Sequence, residues 1–500
     1  MKKINNIVAI LLMAFAISSC NDAIDIEQPG LLLAENAFQS VDDVEAGLYG
    51  AYNSFDITDE IRFNANYTDE WTPGLVNGGQ NRAEYSLILT PASNGDRPAS
   101  LIIWQKYYLA LANVNNLISA ANTITPDPDV DNEVENYNDF VGQAYALRAY
   151  AHFQLQTYYT TDYTDDSALG AIALDYVPAV GEQLPRNTNG EVFTLIENDL
   201  TLANSLLSDS NSNPTLINKD FVKALRARMA AYRGDYATAG PLANQLLADY
   251  PIASQADFFN IWEDTSNAEI IFKLERTQND NYEAQATAGG GTAGSLFAFG
   301  NSTIDGTPFM EMDRELFNSF DDADIRKERY IDPTSIISPD YQNEANYKEG
   351  DVLVVRKYPG SETVNLMNDL KVFRSAEMLF IAAEAAADNN DFGTVAQLIK
   401  QLREARLGST QPTPSYTSQT EAFGAILDER RLELAYEGHR WVDIKRLGAK
   451  GNRTLDREPL DCATANATAC TMPNTDTRFT MPIPLDEIDV NPALSQNPGY

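Results

Sequence analysis

The chain has 500 residues, and its 72 acidic side chains outnumber 36 Lys and Arg for a formal charge of −36 at pH 7. Such a surplus excludes nucleic acid as a general partner and disfavours any polyanionic ligand, since like charges repel over a Debye length of about 8 Å unless basic residues gather locally. A neutral ligand is the easier expectation.

Lys2 and Lys3 form a basic start, Ile7 to Ile17 is a short apolar run, and Ser18 and Ser19 precede Cys20. This is the pattern of an export signal, and the run is too short to span a bilayer. Small residues ahead of a cysteine make Ile17-Ser18-Ser19-Cys20 look like a bacterial lipobox, where cleavage leaves Cys20 to carry lipid. Residues 1–19 are therefore expected to be a signal peptide, 20–35 a lipidated tether and 36–500 a single domain. No later stretch is apolar and long enough to cross a membrane, so the body is expected to work outside it, held by the lipid anchor.

From there the helical pattern runs on with no Pro/Gly/Ser linker to divide it. The segment 56–100 is expected as a long insertion rich in polar and aromatic residues. In it Trp71 and Tyr85 offer flat faces, while Asn66, Asn77, Asn81 and Arg82 offer hydrogen bonds. Trp104 to Ala121 then faces Phe140 to Tyr159, which is continued by Val192 to Leu207. His152 sits among aromatic and apolar neighbours and reads as a buried, satisfied histidine.

Residues 219–249 are the clearest unit, an Ala/Leu/Arg helix stopped at Gly234-Asp235 and followed by a second helix carrying Ala237, Leu242 and Leu246. This is a hairpin of tetratricopeptide type. A second hairpin covers 373–406, turning at Asn389-Asn390-Asp391. The spacing of the units is irregular, which points to a few stacked hairpins serving as scaffold for insertions at 56–100, 160–190, 276–310, 330–370 and 450–490. Tyr282, Phe297 and Phe299 belong to the third of these and join the candidate ligand-binding residues. Gly289-Gly290-Gly291 lacks the Gly-Lys-Ser/Thr of a phosphate loop and reads as a flexible turn.

Residues 428–448, DERRLELAYEGHRWVDIKRLG, are expected to form one densely charged helix. Glu429, Glu433 and Glu437 lie four apart among Arg430, Arg431 and Arg440. Arginine neighbours lower rather than raise carboxylate pKa values, so a structural ion-pair network is favoured over a catalytic acid and base. His439 reads as a packing residue, with no nucleophile motif beside it. Cys462 and Cys470 are close enough to close a small disulfide loop, and the only histidines, His152 and His439, stand at no ligand spacing from them. No metal and no cofactor is expected.

Taken together with the lipobox, FQSVDDVEAGLYGAY at 38–52, ALRAYAHFQL at 146–155, the hairpin at 219–249, FRSAEMLFIAAEAA at 373–386, the 428–448 segment and the ending MPIPLDEIDVNPALSQNPGY at 481–500 resemble the SusD/RagB family. The resemblance implies an all-α fold of stacked tetratricopeptide-like hairpins with ligand-binding loop insertions. It also implies a non-catalytic lipoprotein of Bacteroidota, exposed at the cell surface on the outer membrane, which binds oligosaccharides as the lid of a SusC-like TonB-dependent transporter. It runs through framework segments and carries over no ligand-binding residue. With the charge balance, it leads to an expected neutral glucan, laminarin-like or starch-like. The rival readings are a secreted all-helical glycoside hydrolase, needing two carboxyl groups about 5 to 9.5 Å apart in a cleft, and a helix-hairpin adaptor with a concave peptide groove.

Overall fold

A computed structural model of the protein describes residues 38–79, 82–91, 98–210, 212–277, 293–297, 308–361 and 366–500. The expected signal peptide, the tether with Cys20, and the ligand candidates Asn81, Tyr282 and Phe299 lie outside the described residues.

Helix α1 (Val41–Tyr52) opens with a capping box, in which the Ser40 hydroxyl accepts from the Asp43 N–H and the Asp43 carboxylate accepts from the Ser40 N–H at 2.9 Å. Helix α2 (Thr58–Tyr67) is buried at every position, which corrects the expectation of an open insertion beginning at 56. The segment escapes water because its charges find partners inside: Lys106 pairs with Glu60 at 2.6 Å and Arg62 with Glu84 at 3.0 Å. Strand β1 (Trp71–Pro73) follows directly.

Helices α3 (Ala99–Ala121), α4 (Glu133–Tyr159) and α5 (Asn189–Leu206) pack as the sequence indicates, with α4 between the other two. His152, fully buried on α4, accepts from the Leu174 N–H through Nε2 at 3.0 Å, so Nδ1 carries the proton toward the Arg148 carbonyl at 3.0 Å. Two hairpins then use one device. Between α6 (Lys219–Tyr232) and α7 (Tyr236–Asp249) the chain turns at Gly234 with φ +71, and Asp235 caps the Thr238 N–H at 3.1 Å. Between α8 (Ser375–Asp388) and α9 (Phe392–Leu407) Asn390 turns at φ 59, and Asp391 caps the Thr394 N–H at 3.1 Å. The hairpins stack closely, since a Cβ added at Gly240 of α7 would stand 2.9 Å from that of Ala385 on α8.

The 428–448 segment is broken rather than a single helix. α10 (Gln419–Glu433) stops, Tyr436 and Gly438 turn at φ 63 and 83, and α11 (Arg440–Gly451) begins anew. Glu437 therefore sits in the turn, yet the expected network forms around it. Glu433 is held by Arg406 at 2.9 Å, Arg374 at 3.2 Å and Arg326 at 3.4 Å, Glu437 by Lys357 at 2.6 Å, and Glu429 by Arg326 at 2.8 Å.

Short strands tie the insertions to this frame. β1 pairs antiparallel with β3 (Met310–Met312), and β2 (Ile270–Leu274) with β4 (Leu370–Arg374). Near the C-terminus β5 (Leu455–Asp456), the short helix α12 (Pro459–Thr464) and β6 (Thr471–Met472) form a small unit closed by the Cys462–Cys470 disulfide. One apolar core runs from Val44 to Leu494 and takes in all four tryptophans.

Candidate functional site

Strand pairing decides the fate of the expected aromatic platform. Trp71 stands opposite Met312 with no exposed surface; its indole N–H donates to Asn66 Oδ1 at 2.9 Å, and its ring meets Phe297 edge-on at 5.4 Å. Asn66 in turn donates to Glu84 at 3.0 Å. Tyr85 lies under the Arg457 guanidinium at 4.2 Å and donates to the Thr72 hydroxyl at 3.2 Å. Phe297 packs against Tyr436 at 5.2 Å. These four residues were reasonable ligand contacts on an open loop, but the structure places Trp71, Asn66, Tyr85 and Phe297 in the core, where they brace β1 and leave no face for a ligand.

What they brace is the turn that follows. Asn77, itself buried, accepts from the Gly79 N–H at 3.1 Å and donates to the Phe309 carbonyl at 3.3 Å, so it fixes the turn's shape. Gly78 and Gly79 take φ +66 and +85, which side-chain-bearing residues rarely adopt. Arg82 remains exposed and donates to the Asn466 carbonyl at 3.3 Å. Between this turn and the disulfide-closed segment opens a pocket of about 330 Å³, lined among others by Leu75, Asn77, Arg82, Lys348 and Asn466. Leu75 is 63% exposed at its edge. The structure thus brings Asn77 and Arg82 to one pocket, and adds Lys348, Thr464 and Asn466, which sequence reasoning missed. The insertions expected at 330–370 and 450–490 contain these residues, but nothing in the sequence says what those stretches pack against.

The pocket rests on buried charge. Asp461 of α12 receives Lys348 at 3.0 Å, Arg314 at 2.7 Å and the Tyr347 hydroxyl at 3.0 Å. Burial alone would raise the Asp461 carboxyl, but Lys348 and Arg314 hold it below the usual range. Arg314 also pairs with Asp351 at 2.6 Å and Glu311 at 2.9 Å. Burial pushes Glu311 up despite those partners. These groups fix the walls and are not free to bind ligand anions. The pocket itself offers guanidinium and carboxamide donors beside apolar Leu75 and Pro73, a set suited to hydroxyls and C–H faces.

The three glutamates of 429–437 are unsuited to general acid–base work. Each is buried and ion-paired, and although burial pushes Glu433 and Glu437 upward, their arginine and lysine partners carry both below the ordinary carboxylate value.

A stack of helix hairpins whose returning loops enclose an open, mixed polar and apolar pocket defines a scaffold-borne ligand-binding protein. Among the solved structures that share this fold are a SusD superfamily protein of Bacteroides thetaiotaomicron, with a TM-score of 0.74 at 21% identity over 92% of this chain and 100% of that one, and a SusD-like carbohydrate binding protein of Bacteroides vulgatus, with a TM-score of 0.67 at 18% identity over 91% and 98%. Residues 36–231 match a family described as starch-binding and associating with the outer membrane, and residues 340–500 match the SusD family. SusD-like proteins P2 and P38 of Formosa agariphila are 27% and 22% identical to the chain, over 99% and 100% of its length and as much of theirs. The chain belongs to the SusD/RagB family.

Proposed function

We propose that this protein is a lipid-anchored, cell-surface binder of the outer membrane that captures a neutral glucan, laminarin-like or starch-like, and delivers it to a SusC-like TonB-dependent transporter without cleaving it. The observation that carries the reading is the loop pocket of Asn77, Arg82, Lys348 and Asn466, set on a chain whose first matched segment belongs to a family described as starch-binding and associating with the outer membrane. The name of the Bacteroides vulgatus relative, a carbohydrate binding protein, agrees with it. Cys20 supplies the proposed anchor, and a tethered binder needs a pore beside it to move anything. Asn81, Tyr282 and Phe299 stay in the proposal as further contacts.

Charge supports the neutral ligand. A surplus of carboxylates repels uronic-acid and sulfated chains, and the pocket's two cations are partly engaged, Arg82 by the Asn466 carbonyl and Lys348 by Asp461. An open site with few anchors is expected to bind at micromolar to millimolar Kd, about −4 to −8 kcal/mol. Titration calorimetry of the mature protein against a panel of neutral, uronic-acid and sulfated glycans tests this, with Arg82→Ala expected to weaken binding several-fold. Binding confined to acidic polymers would overturn the neutral-glucan assignment, and release of reducing ends during the titration would favour the hydrolase reading instead.

A further inference from the structure

The loop pocket is not the largest opening among the described residues. A cleft of about 870 Å³ lies between the short helix Arg314–Asn318 and the segment 331–342. The two cavities share a floor: Arg314 lines the cleft, Lys348 lines the loop pocket, and both ion-pair with the same Asp461 oxygen, at 2.7 and 3.0 Å.

The chemistry of the cleft is that of a neutral polyol site. Its volume lies in the range of ordinary ligand sites, about 300 to 1,000 Å³. At its edge the Tyr341 hydroxyl stands between two exposed carboxamides, 3.5 Å from Asn318 Nδ2 and 3.4 Å from Gln342 Nε2. Both contacts are long, and the carboxamide oxygens accept no hydrogen bond among the described residues, so both groups can turn toward a ligand hydroxyl. Apolar surface comes from Pro333, Pro339 and Ile337, the last 53% exposed. Phe317 contributes less, because Lys327 covers its ring at 4.6 Å.

The charges in the lining select against an anion. Arg314 is saturated by Glu311, Asp351 and Asp461. Lys327 is paired with Asp322 at 2.6 Å. Asp332 and Glu328 add negative charge, which opposes an anionic ligand.

We infer that this cleft is a second carbohydrate site, taking a neutral stretch of polysaccharide while the loop pocket holds another. The inference rests on the glycan reading of the loop pocket and adds a consequence to it: two sites on one rigid floor bind a polymer more tightly than an oligosaccharide that fills only one.

The test uses the full mature protein with maltoheptaose, laminariheptaose, soluble starch and laminarin as probes. Calorimetry compares the wild type with Asn318→Ala/Gln342→Ala and with Arg82→Ala, and hydrogen exchange reads protection of amides from Ser335 to Gln342. Asn318 and Gln342 are exposed, so the double variant is expected to melt with the wild type. The expected result is protection of 335–342 by glycan, with polymer affinity falling about tenfold or more in the double variant. If the double variant matches the wild type on every glycan, with no protection there, while Arg82→Ala weakens binding, the second site is overturned and the proposed function stands. If 335–342 is protected and Arg82→Ala is silent, the cleft stands as a carbohydrate site and the loop-pocket assignment falls. Binding to none of the four glycans overturns both.

Discussion

Glu433→Gln isolates the buried ion network that the 428–448 segment builds around Glu433. The carboxylate takes hydrogen bonds from Arg406 at 2.9 and 3.0 Å, and lies 3.2 Å from Arg374 and 3.4 Å from Arg326. The substitution keeps shape and volume but removes the one anion shared by three guanidiniums, which are left with Glu269, Glu437, Glu429 and Asp324. Removing one partner of a buried pair costs about 3–5 kcal/mol. For a domain this size the unfolding entropy is about 1 kcal/mol/K, so Tm is expected to fall by roughly 3–5 °C. The pH dependence sharpens the test. Burial opposes ionisation of Glu433, but Arg406 and its companions hold the folded carboxyl below its ordinary value. Its contribution is therefore fully present above the unfolded pKa of about 4.3 and is lost only as pH falls toward the folded one. Differential scanning calorimetry at pH 7, 5 and 3.5 measures both effects. The gap between wild type and variant is expected to hold from pH 7 to 5 and to narrow at 3.5. A shift below about 1 °C at pH 7, or a gap that grows on acidification, would refute the argument.

Cys462→Ser/Cys470→Ser opens a short loop and is expected to cost about 2–3 kcal/mol by chain entropy, while weakening glycan binding because Thr464 and Asn466 line the pocket; thiol alkylation of the unreduced, denatured wild type should find no free thiol from this pair. His152 is held by burial at a pKa of about 3, against an ordinary 6.5. The unfolded chain therefore takes up a proton that the folded one refuses, and stability falls as pH drops from about 6.5 toward 3, by up to about 1.4 kcal/mol per unit. His152→Gln is expected to flatten that part of the stability–pH curve, and an unchanged slope in chemical denaturation would count against the assignment. Cys20→Ala is expected to release the protein from the outer-membrane fraction and abolish palmitate labelling, and crosslinking of the wild type in native membranes is expected to capture a large TonB-dependent barrel.

The sequence was most legible where structure is local. The hairpin at 219–249 could be placed because Gly234 supplies a left-handed turn and Asp235 a cap one residue later, and Asn390-Asp391 repeats the arrangement at 373–406. His152 and the arginine-paired glutamates were legible because burial and charge pairing leave strong composition signals. The break between α10 and α11 was not, since Tyr436 takes a left-handed conformation that no aromatic residue advertises and the flanking charges fit helical spacing equally well. Trp71 and Tyr85 misled for a related reason. A ring among asparagines and glycines looks the same in sequence whether it faces a ligand or anchors the loop that does, and the difference here is the pairing of β1 with β3, across roughly half the chain.

The pocket is the extreme case of that nonlocality. Arg82 and Asn466 touch across 384 residues, so no window of sequence contains the site. Its walls meet because Asp461 joins Lys348 and Arg314 beneath them, and those charged groups are accommodated in the core because each has an opposite partner. The same economy explains why the proposed binding surface carries so few unspent cations on so acidic a chain: Arg314 is consumed in holding Glu311, Asp351 and Asp461 inside. What is left at the surface is neutral carboxamides, one arginine and scattered apolar side chains, a composition that suits the hydroxyls and C–H faces of the proposed neutral glycan better than a polyanion.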